Sequence, residues 1–164
     1  MIIEDIGFWE RAGKDDVDAI VCTTNNIIKN NGALVMGAGI ARAFRDTFPY
    51  LDINWGAAAE AAADGGNPDY GVLIDGPRVY NRTKIYLVGF QTKRDWAKPS
   101  DLELIQYSAQ KLSDLADVLN WQRIICPAFG CNNGGMTWDE VYKKTKKILD
   151  DRFIIVGVSS DGVI

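Results

Sequence analysis

The chain has 164 residues, 18 basic and 22 acidic side chains, a net charge of -4 and no histidine. That length supports one domain with a real core, and the charge argues against a protein that coats nucleic acid through bulk electrostatics. The missing histidine removes every Ser-His-Asp or Cys-His nucleophile arrangement. Cys22, Cys126 and Cys131 form an odd, sparse set without a C-x-x-C pair, so neither a disulfide framework nor a zinc site is expected. No metal and no cofactor are expected. Glu4 and Asp5 stand where a signal peptide would carry basic residues. No apolar run approaches the ~20 residues of a membrane span. A cytoplasmic monomer is the expectation.

Apolar runs alternate with helical patterns along the chain. Met1–Ile3 reads as a short first strand and Asp18–Cys22 as a buried one. The helical spacing of Ile40, Ala43, Phe44, Thr47 and Phe48 predicts a helix that Pro49 stops. Leu51–Ala63 is a second helix, ending before the loop Gly65-Gly66-Asn67-Pro68. Val79–Asn81 and Lys84–Phe90 are two strands joined near Arg82-Thr83. Ser100 and Glu103 read as a capping box. It opens a helix to Leu119 whose stripe runs through Leu102, Ile105, Ala109, Leu112, Ala116 and Leu119. Arg123–Pro127 is a strand. Thr137 and Glu140 cap a helix to Leu149, whose Lys143, Lys144, Lys146 and Lys147 read as a solvated face. Phe153–Val158 is the last strand. Short Ile/Val-rich runs between helices predict a layered α/β domain with a largely parallel sheet. In such sheets ligands sit beyond the carboxyl ends of the strands.

Two segments share the order strand, glycine-rich loop, helix. In the first, Met36-Gly37-Ala38-Gly39-Ile40 runs straight into a helix. In the second, Phe129-Gly130-Cys131-Asn132-Asn133-Gly134-Gly135-Met136 leads to Thr137. Backbone N–H groups at such turns bind anions. Two of them on one sheet edge could clamp a diphosphate, although each alone is also an ordinary surface turn. Asn25 lies at the end of the second strand, where an amide can bond ribose hydroxyls as donor and acceptor. Lys93 and Arg94 emerge at another strand end, where anions would collect. Trp96 and Trp138 flank this presumed site, or pack in the core as most tryptophans do.

With these motifs in order the chain resembles the macro domains, the ADP-ribose-binding modules. The marks are Met36-Gly37-Ala38-Gly39-Ile40-Ala41 with Phe44 and Phe48-Pro49, then Thr92-Lys93-Arg94-Asp95-Trp96, then Gly130 to Trp138. They are most similar to the DNA ADP-ribosyl glycohydrolase antitoxins and the related ADP-ribose 1''-phosphate phosphatases. The resemblance implies a three-layer α/β/α sandwich with a central mixed, largely parallel sheet of about six strands. Residues 1–164 would form a single macro domain. It implies that Asp5, followed by Ile6, accepts a hydrogen bond from the adenine amino group. Gly37, Ala38, Gly39 and Ile40 would hold the diphosphate and distal ribose, and Phe129, Gly130, Cys131, Asn132, Asn133 and Gly134 would face them. Asn25 would orient the distal ribose and Lys93 would assist cleavage at C1'', both as catalytic residues.

The chain also departs from the family pattern. Cys22 stands where an asparagine is usual, and the loop within Ile27–Gly32 is longer; both bear on substrate choice. Ala38 replaces a lysine common in the antitoxin branch. Gly134 replaces the aspartate of the branch that cleaves acylated or glutamate-linked ADP-ribose. The implied function is a hydrolase removing ADP-ribose from a modified macromolecule, a nucleobase in DNA above all. The alternatives are an ADP-ribose 1''-phosphate phosphatase and a module that binds or sequesters ADP-ribose, or a related nucleotide signal, without turnover.

Overall fold

The computed structural model describes residues 1–159 and 162–163. Six strands form the central sheet: β1 Ile2–Glu4, β2 Ala19–Thr24, β3 Val72–Tyr80, β4 Thr83–Gln91, β5 Ile124–Cys126 and β6 Phe153–Val156. Their spatial order is β1-β6-β5-β2-β4-β3. Every pair is parallel except the β3–β4 hairpin. β1 pairs with β6 in the register Ile2↔Ile154 and Glu4↔Val156. The helices are α1 Phe8–Ala12, α2 Gly39–Thr47, α3 Leu51–Asp64, α4 Leu102–Leu119 and α5 Trp138–Thr145. No helix among the described residues is long and apolar enough to cross a membrane.

Side-chain alternation along the strands divides the core into two layers. Ile20, Cys22, Ile85, Leu87, Ile125, Ile154 and Val156 face α1, α2 and α3. Ala19, Val21, Val88, Phe90, Ile124, Cys126, Phe153 and Ile155 face α4 and α5. The expected three-layer α/β/α sandwich with a mixed, largely parallel sheet is what these contacts build. The stripe Ile105, Ala109, Leu112, Ala116 is the buried face of α4. On α5 the capping box of Thr137 and Glu140 is present. Its lysines are solvated as expected, Lys143 pairing with Asp139 and Lys144 with Glu103.

Four expectations are corrected. The cap of α4 is Asp101, which accepts from the Glu103 and Leu104 amides, and not Ser100. Ser100 is held instead by its amide, which donates to the Gly134 carbonyl at 2.9 Å. β3 begins at Val72, well before Val79; as a sheet edge it tolerates the Gly76-Pro77 interruption that hides it in the sequence. The strand from Phe153 does not continue to Val158. It ends at Val156, and beyond Gly157 the segment Val158–Ser159 pairs with Gly162–Val163, making β7 and β8. Finally, α1 was not anticipated. Its Phe8 and Trp9 pack with Phe44 of α2, their centroids 5.8 and 5.3 Å from that ring.

The long connection after β2 folds tightly. Lys29 N donates to Ala33 O at 2.8 Å and Gly32 N to Lys29 O at 2.9 Å. Leu34 N then donates to Asp52 O of α3 at 2.9 Å. Gly56 makes that docking possible, because a Cβ on it would overlap the Gly32 carbonyl oxygen and lie 2.8 Å from Leu34 N.

A candidate ligand cleft between two glycine loops

The carboxyl ends of the parallel strands open into a cleft of about 1280 Å³. Each wall is a strand end and the residues that follow it. After β1 come Asp5 and Ile6; after β2, Asn25; after β4, Thr92 and Lys93; after β5, Gly130 to Gly134; and beside them the turn Met36–Ile40. Of the residues expected from the sequence, Asp5, Ile6, Asn25, Gly37, Ala38, Gly39, Ile40, Lys93, Gly130, Cys131, Asn132, Asn133 and Gly134 all line it.

The first loop ends as α2 begins. Ala38 is the N-cap in an extended conformation, and no side chain caps the helix. The first-turn amides therefore have no acceptor within the helix and face the cleft with the positive end of its dipole. Gly37 is exposed, and a Cβ there would meet nothing within 4 Å. Gly39 adopts φ +57, a conformation natural for glycine. Its missing Cβ would lie 3.5 Å from Asn133 Nδ2, so the two loops approach each other at this point.

The second loop is braced from below. Met136 N donates to Gly130 O at 2.9 Å, closing the loop. A Cβ on Gly134 would overlap both Ser100 Oγ and the Gly130 carbonyl oxygen. Position 134 therefore cannot carry a side chain, an aspartate included, unless the loop is rebuilt. Ser100 was missed as a cleft residue because the sequence reads it as a helix cap. It lines the cleft while its hydroxyl is buried without a hydrogen-bond partner.

Two expectations change here. Phe129 does not line the cleft; it is fully buried and stacks on Phe90 with centroids 4.0 Å apart, a core residue beneath the loop. Asn25 lines the cleft, but its amide is engaged by the backbone. Its Nδ2 donates to Val35 O at 3.1 Å and its Oδ1 accepts from Ile27 N at 2.9 Å. It fixes the first loop to the end of β2. Cys22 is fully buried in the core, as the reading of Asp18–Cys22 as a buried strand expects, and burial pushes its thiol well above the usual value.

Lys93 and Arg94 separate. Lys93 is half-buried, and its Nζ donates to Asn133 O at 3.1 Å and Trp96 O at 3.4 Å. It ties the β4–α4 connection to the second glycine loop. Arg94 turns away and grips Asp69 through Nε and Nη2 at 3.0 and 2.9 Å, and Asp101 through Nη1 at 2.9 Å. It is not an anion site. Arg94, with the Leu104 and Glu103 amides, holds the Asp101 carboxyl below its usual 3.8 despite partial burial. A lowered folded value means stability that is complete above the unfolded value and lost as pH falls through the folded one. The expected result is that Asp101→Asn lowers Tm at neutral pH and that this difference shrinks below about pH 4; a difference constant down to pH 2 would contradict the pairing.

A cleft walled by helix-start amides and glycine backbone at the carboxyl edge of a parallel sheet is the arrangement by which α/β modules bind phosphorylated ligands. No protein-family profile matches the chain. A DNA ADP-ribosyl glycohydrolase of Thermus aquaticus is 30% identical over 138 residues, which are 82% of this chain and 34% of that protein. The macrodomain of Mycobacterium tuberculosis DarG superposes with a TM-score of 0.72 at 28% identity, covering 97% of this chain and 99% of that one. The macrodomain of Thermus aquaticus DarG gives 0.69 at 27%, covering 94% and 95%. The chain belongs to the macrodomain family. It spans about a third of the length of the curated relatives it matches.

Proposed function

We propose that this chain binds ADP-ribose in the cleft and hydrolyses its bond to a modified nucleobase of DNA. The observation that carries the reading is the place of Lys93 Nζ, inside the cleft and bonded to the loop that faces the α2 amides. The names of the relatives, DNA ADP-ribosyl glycohydrolase, support the substrate class. The walls of the cleft draw on residues from Asp5 to Gly157, so the chain works as one binding unit.

The diphosphate lies between the two loops, where preorganised N–H groups meet its charge without reorganising. Asp5, which lines the cleft after β1, accepts from the adenine amino group. Asn25 acts as a positioning residue for the first loop. Lysine has three donor hydrogens, and two of them serve Asn133 O and Trp96 O. The third is available to the scissile bond. In the reaction the C1''–N bond breaks and its electron pair leaves with the base, which takes up a proton. Water supplies the hydroxyl that ends on C1''. Lys93 assists by stabilising the leaving base or delivering that proton.

Calorimetry is expected to give a micromolar Kd for ADP-ribose, about 8 kcal/mol; no heat at millimolar ligand would end the reading at its first step. The activity is tested by a panel of ADP-ribosylated single-stranded DNA, ADP-ribosylated protein and ADP-ribose 1''-phosphate. Release of ADP-ribose from DNA is the expected result. Release of phosphate alone would make the protein a phosphatase, and binding without any release would make it a reader.

A further inference from the structure

Trp96 is the one large apolar side chain of the cleft lining that the fold leaves mostly in water among the described residues, with 59% of its surface exposed. Its counterpart in the sequence reading, Trp138, behaves differently and packs against the α4–α5 core layer. Exposure of a single aromatic is ordinary. What distinguishes Trp96 is how firmly its backbone is placed. Asp95 Oδ1 accepts from Ala97 N at 2.8 Å and Asp95 O from Lys98 N at 3.1 Å, closing a turn around it. Arg94, just before it, is clamped between Asp69 and Asp101. Trp96 O itself accepts from Lys93 Nζ. The indole is thus carried on a fixed turn at the mouth of the cleft, next to the lysine assigned to the scissile bond.

We propose that Trp96 is the platform on which the nucleobase joined to ADP-ribose stacks, and that it selects nucleic-acid over protein substrates. The inference rests on the glycohydrolase reading above and deepens it. In that reading the group attached at C1'' lies beside Lys93, and Trp96, whose carbonyl accepts from Lys93 Nζ, lines the cleft next to it. An indole face accepts any base, because every base has a π-face. Two residues on, exposed Lys98 takes part in no ion pair among the described residues and can meet the phosphate flanking that base. The net charge of -4 leaves little general attraction for DNA, so local stacking must supply the contact. The base is presented unstacked, as chemistry on a base requires.

The test compares wild type, Trp96→Ala and Trp96→Phe on three ligands: free ADP-ribose, an ADP-ribosylated nucleoside, and a single-stranded oligonucleotide with one ADP-ribosylated base. Affinities for the two modified ligands are measured in a Lys93→Gln background, so that binding is read without turnover. Trp96→Ala is expected to weaken both by roughly ten- to a hundredfold. Free ADP-ribose should bind unchanged, which also shows that the variant is folded, and Trp96→Phe should recover most of the loss. In the Lys93-containing protein the defect should fall on KM. Equal affinity of Trp96→Ala and its parent for the modified ligands overturns the stacking role. A loss confined to the oligonucleotide overturns the assignment to the modified base and gives it to a neighbour. Failure of the wild type to cleave the oligonucleotide overturns the glycohydrolase reading and leaves the binding comparison to decide the stacking role.

Discussion

Lys93→Ala is expected to lower the rate of ADP-ribose release by roughly a hundred- to ten-thousandfold, the span of a lost proton-transfer group, while ADP-ribose still binds within about tenfold of wild type. The separation follows from where the side chain sits. In the proposed binding mode the diphosphate is held by backbone amides of the two loops, which the substitution leaves in place. Among the described residues, the hydrogen bonds of Lys93 Nζ go to Asn133 O and Trp96 O. Its loss loosens the second loop slightly and removes the one cationic side chain that lines the cleft among the described residues. Single-turnover kinetics beside calorimetry checks both halves. A parallel collapse of affinity and rate would show that Lys93 builds the site and takes no part in the chemistry.

Gly56→Ala is expected to destabilise the fold by about 3 kcal/mol, the upper part of the usual cost of overpacking, and to lower Tm by roughly 6–12 °C for a chain of this size. The sign makes the measurement decisive. Helix propensity alone says that alanine in the middle of α3 should stabilise by about 1 kcal/mol. The structure says the reverse, because the new methyl would meet the Gly32 carbonyl and the Leu34 amide. That segment leads directly into the glycine turn at Met36–Ile40. Weaker ADP-ribose binding should therefore accompany the lower Tm. Thermal unfolding settles it, and an increase in Tm would mean that the close approach of loop and helix is not what the glycine serves.

The layers and much of the cleft were legible in the sequence because they rest on periodicity and punctuation. The α4 stripe, the Thr137–Glu140 cap, Pro49 after α2 and the two glycine loops each carry a local signal. What was hidden depends on contacts between distant residues. Nothing in Ser100-Asp101 says which residue caps α4, since both are good caps. The choice falls to Asp101 because Ser100 N bonds Gly134 O and Arg94 reaches Asp101. Asn25 stands at the strand end as read, but only the folded loop shows its amide occupied by Val35 and Ile27. Phe129 adjoins a glycine loop and reads as part of it, whereas Phe90 on β4, two strands across the sheet from β5, claims its ring. α1 is too short, with five residues, to show a helical period.

The pairing of β1 with β6 sets the order in which the site can form. Glu4 lies beside Val156, so Asp5 and Ile6 share their end of the cleft with Val156 and Gly157, residues from opposite ends of the described chain. Such a contact closes a very long loop, and pairings of that kind form late in folding. The glycine loops can assemble around β2, β4 and β5 before the part of the cleft lined by Asp5 and Ile6 exists. Ligand that touches both β1 and β6 then acts as a cross-brace on the last strand to join, and stabilises the closed sheet in proportion to its own saturation. Hydrogen exchange of the Ile2–Glu4 amides should slow on ligand binding more than that of β2, even though β2 lies nearer the middle of the sheet.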